Sequence, residues 1–157
     1  MKTNLFTLIV LLAMLVMGLT ACSDDKEIDP YYEDIEDERV IAELEDVPAY
    51  VCDSYKGYVF ICYSKYADEY YEARNENPEN IEEFSPEIRS DIAAHCIGVK
   101  LSDFNTYGIE LKSKVYVSAY VTNNERAKIV EDGLEDPGWG TLASGKKAYL
   151  KNLKPRD

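Results

Sequence analysis

The sequence contains very little histidine, with His95 as its single imidazole. Serine-protease triads and zinc hydrolases need a histidine as base or ligand, so His95 would have to serve every such role. It follows a predicted helix and begins an alternating apolar strand, where a packed or edge position is expected. Cys96, its neighbour, points to the opposite face of that strand, so the pair is poorly placed as nucleophile and base. The sequence therefore predicts no catalytic residues and a protein that is not an enzyme.

Metal and cofactor motifs are also missing. There is no Cys-x-x-Cys, the spacing used by zinc knuckles and thioredoxin-type sites, and no Asp-x-Asp-x-Asp frame of an EF-hand. Residues 140–146 have the Gly-x-x-x-x-Gly-Lys spacing of a phosphate-binding loop. However, Lys147 stands where a Ser or Thr hydroxyl would meet Mg²⁺. We therefore expect no bound metal and no cofactor.

Basic residues are scarce, with 17 Lys and Arg against 30 Asp and Glu, for a net charge of −13. Nucleic-acid binding requires a basic stripe, so this class of partner is excluded. The acidity is concentrated in residues 24–46, where twelve carboxylates face only Lys26 and Arg39, a balance of −10. Such a segment predicts a flexible tether over residues 22–46. A short helix over residues 33–45 is the alternative.

The chain has one long apolar run, Leu5 to Leu19, preceded by a short cationic head. About 20 residues are needed to span a bilayer, so a cleaved secretory signal fits better. Directly after it come Leu19, Thr20, Ala21 and Cys22, which resemble the lipobox of bacterial lipoproteins. The resemblance implies removal of residues 1–21 and acylation of Cys22 with fatty acids such as palmitate. The mature protein would then be held at a membrane through its lipid anchor.

The residues after Cys22 indicate the membrane in which the anchored protein is expected. Ser23 to Glu27 is acidic and resembles the export signal of surface-displayed lipoproteins of the Bacteroidota. The resemblance implies an outer-membrane protein that is exposed at the cell surface. Residues 47–157 remain as one β-rich globular domain.

Three cysteines remain once Cys22 carries lipid, and outside the cytoplasm a disulfide can form. If residues 50–63 form a hairpin around Gly57, then Cys52 and Cys62 lie opposite each other. A Cys52–Cys62 disulfide is one expectation. The other is that Cys52, Cys62 and Cys96 are all buried free thiols.

Strand patterns dominate the globular domain. Alternation and β-branched or aromatic residues predict strands over residues 57–66, 95–101, 114–122 and 147–153. A fifth strand with a weaker pattern is predicted over residues 68–74. One helix is expected after Ser85 as N-cap and Pro86 at the first helical position. This arrangement is mainly β and resembles a small five-stranded OB-like barrel with one short helix. Residues 108–121 are also similar to small secreted lipoproteins of the Bacteroidota. A small open β-sandwich is the alternative.

Tyrosine is abundant, with thirteen residues, seven of them from Tyr50 to Tyr71. Tyr116 and Tyr120 should point outward from their strand, and Trp139 lies in a Gly-rich loop. These rings combine apolar area with a polar tip and would form an aromatic binding face. The alternative is that the tyrosines mainly fill the core and the barrel exterior.

Three functions follow from these features. The first is a noncatalytic binding or assembly module, anchored in a membrane, for a glycan or a protein partner. The second is an inhibitor or immunity-type lipoprotein acting on a basic protein target, which would use the acidic charge. The third is a small hydrolase, which would need a pocket with carboxylates around His95.

Overall fold

Five strands close into a small barrel, so the predicted mainly β, OB-like fold is confirmed. The computed structural model describes residue 32, residues 34–125 and residues 145–157. The strand order is β1-β2-β3-β5-β4, and every neighbouring pair is antiparallel except β3 and β5. The strands are β1 (Val40–Tyr55), β2 (Tyr58–Cys62), β3 (Cys96–Lys100), β4 (Ser113–Thr122) and β5 (Lys146–Pro155).

The barrel interior is filled by the apolar positions of alternating strands. Val115, Val117, Ala119 and Val121 were predicted to point inward, and each is at most 2% exposed. They pack against the following buried residues of the other strands: Val51, Val59, Ile61, Ile97, Val99 and Leu153. The first strand adds Leu44, Ala49 and Val51 to this core. Its pairing with β4 has two irregularities, and such irregularities bend a strand.

A layer of helices covers one outer face of the barrel. Between β2 and β3 the chain forms α1 (Ala67–Glu76), a 3-10 helix (Pro78–Glu83) and α2 (Pro86–Ala94), and α3 (Leu101–Asn105) follows β3. Of the helices in the described parts of the chain, none is long and apolar enough to cross a bilayer. Under α1 and α2 lies a second core, called here the covered core, made of Tyr32, Tyr50, Cys52, Tyr58, Phe60, Cys62, Tyr70, Tyr71, Ile92 and Cys96.

The weak strand predicted over residues 68–74 is wrong, since these residues belong to α1. Tyr70 and Tyr71 are both only 1% exposed. On a helix these two rings and Ala67 share one face, which packs on the barrel. The predicted helix after Ser85 is confirmed as α2, with Ser85 Oγ accepting a hydrogen bond from the Ile88 amide at 3.4 Å.

The flexible tether predicted over residues 22–46 extends too far along the chain, because its last residues belong to the first strand. Strand β1 begins at Val40 and pairs with β4 from the start, with Val40 opposite Thr122 and Leu44 opposite Ala119. Neither a flexible segment nor the alternative helix forms there, because backbone pairing and the burial of Leu44 favour a strand. Tyr32 is also buried in the covered core. Residues 1–31, which include Cys22, lie outside the described residues.

Candidate binding face

The open outer face of β4 and β5 carries three tyrosines, called here the tyrosine strip. Tyr116 and Tyr120 are each 39% exposed and Tyr149 is 42% exposed. Tyr120 and Tyr149 are direct partners across the two strands. Tyr116 lies four residues from Tyr120 on β4, about 13 Å along the strand. The third residue predicted for this face, Trp139, lies outside the described residues.

Tyr149 was missed as a site residue, although its signal was in the sequence. It alternates with the inward Ala148 in the last predicted strand, which places it on the outer face. A hydrogen bond fixes its position, because Tyr149 Oη donates to Glu38 Oε1 at 2.6 Å. Glu38 Oε2 also accepts from Asn124 Nδ2 at 2.9 Å and from Lys147 Nζ at 3.2 Å. Burial opposes ionisation of Glu38, but these hydrogen bonds outweigh it and lower its pKa.

Each ring of the tyrosine strip has a cation near its face. Lys151 Nζ lies 4.9 Å from the Tyr120 ring centre, and Lys147 Nζ lies 5.5 Å from that of Tyr149. Arg156 Cζ lies 5.9 Å from the Tyr116 ring centre. These cations bind the negative face of the rings and restrict their orientation.

The same cations are paired with carboxylates, so the open face has little net charge of its own. Lys151 Nζ bridges Glu43, at 2.5 Å, and Glu45. Hydrogen bonds to these two carboxylates raise the pKa of Lys151. The rings are therefore held in a surface of alternating, mutually neutralised charges.

A groove of about 280 Å³ lies at one end of the tyrosine strip. It begins beside Tyr116, since Pro48 is the strand partner of Tyr116 and Arg156 borders both. Among the groups that line it are Val47, Pro48, Tyr63, Lys65, Asp68 and Arg156. Its walls thus combine apolar and polar groups, drawn from three distant parts of the chain.

The polar side of the groove is an arginine–carboxylate pair. Arg156 Nη2 lies 2.5 and 2.6 Å from the two oxygens of Asp68, and the two side chains are 18% and 35% exposed. The buried Nε of Arg156 has no hydrogen-bond partner among the described residues. The partly exposed remainder of the pair places acceptor and donor groups side by side, with their charges balanced.

His95 lies in a polar cluster that is not arranged as a catalytic triad. Ser64 Oγ donates to Asp91 Oδ2 at 2.5 Å, so its hydroxyl faces the carboxylate and not the imidazole. His95 Nδ1 lies 2.7 Å from the Asp91 carbonyl oxygen and 3.4 Å from Oδ1. A nucleophile–base hydrogen bond between Ser64 and His95 would be needed for acyl transfer. The cluster instead ties the end of α2 to the chain after β2.

The predicted placement of Cys52 opposite Cys62, on which a Cys52–Cys62 disulfide depended, is wrong. The hairpin turn consists of Lys56 and Gly57, both with positive φ, and an irregularity between Val51 and Ser54 shifts the register. Cys62 therefore lies opposite Tyr50 and not opposite Cys52. Cys52, Cys62 and Cys96 are free and buried in this structure.

OB-like barrels commonly bind ligands on the face of β2 and β3. In this chain α1, α2 and Tyr32 cover that face, whereas the tyrosine strip and the groove are open to solvent. Within the described ranges there is no cluster of three or more His, Cys, Asp or Glu that would hold a metal ion. Comparisons with protein-family models, with curated proteins and with solved structures found no match for this chain.

Proposed function

We propose that this protein is a noncatalytic glycan-binding module, anchored through lipid on Cys22 to the outer membrane and exposed at the cell surface. The observation that carries the proposal is that Tyr116 of the tyrosine strip neighbours two groove residues, Pro48 and Arg156. Aromatic faces stack on sugar rings through apolar contact, and a paired acceptor and donor bind hydroxyl groups. The open face of the barrel supplies both kinds of group next to each other.

The size and charge of the groove favour a neutral sugar chain. Its volume of about 280 Å³ is slightly below the roughly 300–1,000 Å³ typical of pockets that enclose a drug-sized ligand. One sugar ring in the groove, with neighbouring rings along the tyrosine strip, fits this size. Asp68 balances Arg156 and two glutamates of β1 face Lys151, so Lys65 is the one charge of the groove lining without a carboxylate partner among the described ion pairs, which is too little to select a strongly acidic polymer.

The lipid anchor places this site close to the membrane. Tyr32 is buried against the barrel, so residues 23–31 alone separate it from Cys22. Fully extended, the chain from Cys22 to Tyr32 reaches about 35 Å. The domain therefore stays within about its own diameter of the bilayer and is not held at the end of a long spacer.

A glycan-array experiment with the detergent-solubilised full chain tests the binding site. We expect binding to a neutral polysaccharide, and Tyr116→Ala should weaken it about tenfold, since one buried aromatic anchor is worth more than about 1 kcal/mol. Tyr116→Phe is the matched control, because it keeps the ring and should retain most of the affinity. No binding to any glycan, or equal binding by the Tyr116→Ala variant, would refute the proposed site.

Cell fractionation tests the anchor separately. The wild-type chain should be found with the outer membrane and label with a palmitate analogue, and both properties should be lost in Cys22→Ser. Cys52→Ser serves as the control for a cysteine change elsewhere. Membrane association that is the same in Cys22→Ser and wild type would overturn the anchored part of the proposal.

A further inference from the structure

Cys62 and Cys96 are direct partners on the antiparallel strands β2 and β3. The next residues along the two strands are Tyr63 and His95, and the Tyr63 amide donates a hydrogen bond of 2.9 Å to the His95 carbonyl oxygen. Cys62 and Cys96 therefore occupy a non-hydrogen-bonded position, where the side chains approach most closely and the Cα atoms are about 4.5 Å apart. This separation lies within the range of about 4.4–6.8 Å that a disulfide spans.

Both thiols enter the covered core from the same side of the sheet. Cys62 is 0% exposed and Cys96 is 2% exposed. Cys62 Sγ donates to the Ile92 carbonyl oxygen at 3.7 Å, and Cys96 Sγ lies 3.8 Å from Tyr71 Oη, so both sulfurs lie beneath the helices. Cys52 is less well placed, because it lies along β1 from Tyr50, the residue opposite Cys62. Diagonal positions of this kind have Cα atoms about 7–8 Å apart, beyond the reach of a normal disulfide.

We propose that Cys62 and Cys96 form a disulfide in the exported protein, with Cys52 left as a free buried thiol. The inference rests on the export step of the proposed function, because disulfides persist outside the cytoplasm. The two thiols lose two protons and two electrons, and a sulfur–sulfur bond forms between them. The electrons reduce the disulfide of an envelope thiol oxidase, which leaves as a dithiol after thiol–disulfide exchange.

The disulfide would close the helical insertion at its base. Residues 63–95 contain α1, the 3-10 helix and α2, and the two cysteines flank this segment directly. Because both sulfurs are buried in the folded barrel, exchange takes place before the helices close over the strands. The finished disulfide is then protected from reductants until the protein unfolds.

Peptide mapping of the full chain tests the pairing. Cells are treated with N-ethylmaleimide and lysed in denaturant that still contains it, so that buried free thiols also react, and the envelope protein is digested with trypsin without reduction. Cys52, Cys62 and Cys96 fall in three different tryptic peptides, residues 40–56, 57–65 and 90–100. We expect peptides 57–65 and 90–100 as one species, two hydrogens lighter than their sum, and Cys52 fully alkylated. Alkylation of both Cys62 and Cys96, or a link that includes Cys52, would overturn the proposal.

A refolding arm separates this pairing from the question of export. The purified, reduced chain is unfolded in urea and refolded in a mixture of reduced and oxidised glutathione. The same linked peptides should form in the wild type and in Cys52→Ala, and not in Cys62→Ala. A wild-type chain that refolds with Cys62 and Cys96 unlinked would contradict the geometric argument even if fractionation confirms the anchor.

Discussion

At the scale of single residues, Gly98 shows how closely Tyr32 fits the barrel. A Cβ at Gly98 would collide with Tyr32 Oη and lie 3.0 Å from its Cζ, while Tyr32 Oη donates to the Gly145 carbonyl at 2.7 Å. Gly98→Ala should displace this ring and lower the free energy of unfolding by about 1–3 kcal/mol in urea denaturation. In a Tyr32→Ala background, Gly98→Ala should lower the free energy of unfolding by much less. An equal cost in both backgrounds would show that Tyr32 does not occupy this position.

A second prediction at this scale concerns Glu38, whose pKa is lowered from 4.5 although burial alone would raise it. A carboxylate with a lowered folded-state pKa stabilises the protein above its unfolded-state pKa, and this contribution is lost as the pH falls through the folded-state value. The wild type should therefore be more stable than Glu38→Gln at neutral pH, and the difference should shrink below about pH 4.5. Urea midpoints of both proteins across this range provide the measurement. A difference that stays constant or grows in acid would contradict the assignment.

At the scale of elements, α2 is held to the barrel chiefly by one side chain. Ile92 is 0% exposed in the covered core, whereas Ile88, one turn earlier, is only partly buried. Ile92→Ala should reduce the free energy of unfolding by about 2–5 kcal/mol, because it removes buried atoms and leaves a cavity. Ile88→Ala is the matched control and should lower the free energy of unfolding by clearly less. Equal losses in chemical denaturation would mean that α2 is not anchored in this way.

The elements differ in how far the sequence could predict them. Strands β3, β4 and β5 and the cap of α2 follow from local patterns, since alternation and the Ser85-Pro86 pair act within a few residues. Helix α1 was missed because it is rich in tyrosine and charge and has no clear apolar stripe. Its conformation depends on the covered core, which is formed by residues distant in sequence. The hairpin register was missed for a similar reason, because an irregularity in β1 shifts Cys52 away from Cys62.

At the scale of the whole molecule, the outward tyrosines of β4 could be predicted from the sequence, whereas the groove could not. The outward direction of Tyr116 and Tyr120 follows from the period of two in β4, which needs no tertiary information. The groove could not be predicted, since it combines residues near 47, 63–68 and 156 that meet only when the barrel closes. The acidic composition before residue 47 also concealed the start of β1, because the cation that pairs with Glu43 and Glu45 is Lys151, which lies on a strand distant in sequence.

The two outer faces of the barrel differ in their exposure to solvent. The face of β2 and β3 is sealed by α1, α2 and Tyr32, while the face of β4 and β5 keeps its tyrosines exposed. Three partly exposed rings, each with a cation nearby, give this face aromatic area that the covered face does not present to solvent. The proposed glycan binding therefore rests on the tyrosine strip and its groove.

The most direct test of this account is chemical-shift mapping of the protein by nuclear magnetic resonance during titration with a glycan that binds on the array. The account predicts that the largest shifts fall on Tyr116, Tyr120, Tyr149 and the groove residues Asp68 and Arg156, with the covered core unchanged. Shifts concentrated on the helical layer, or the absence of any shift on the open face, would contradict it.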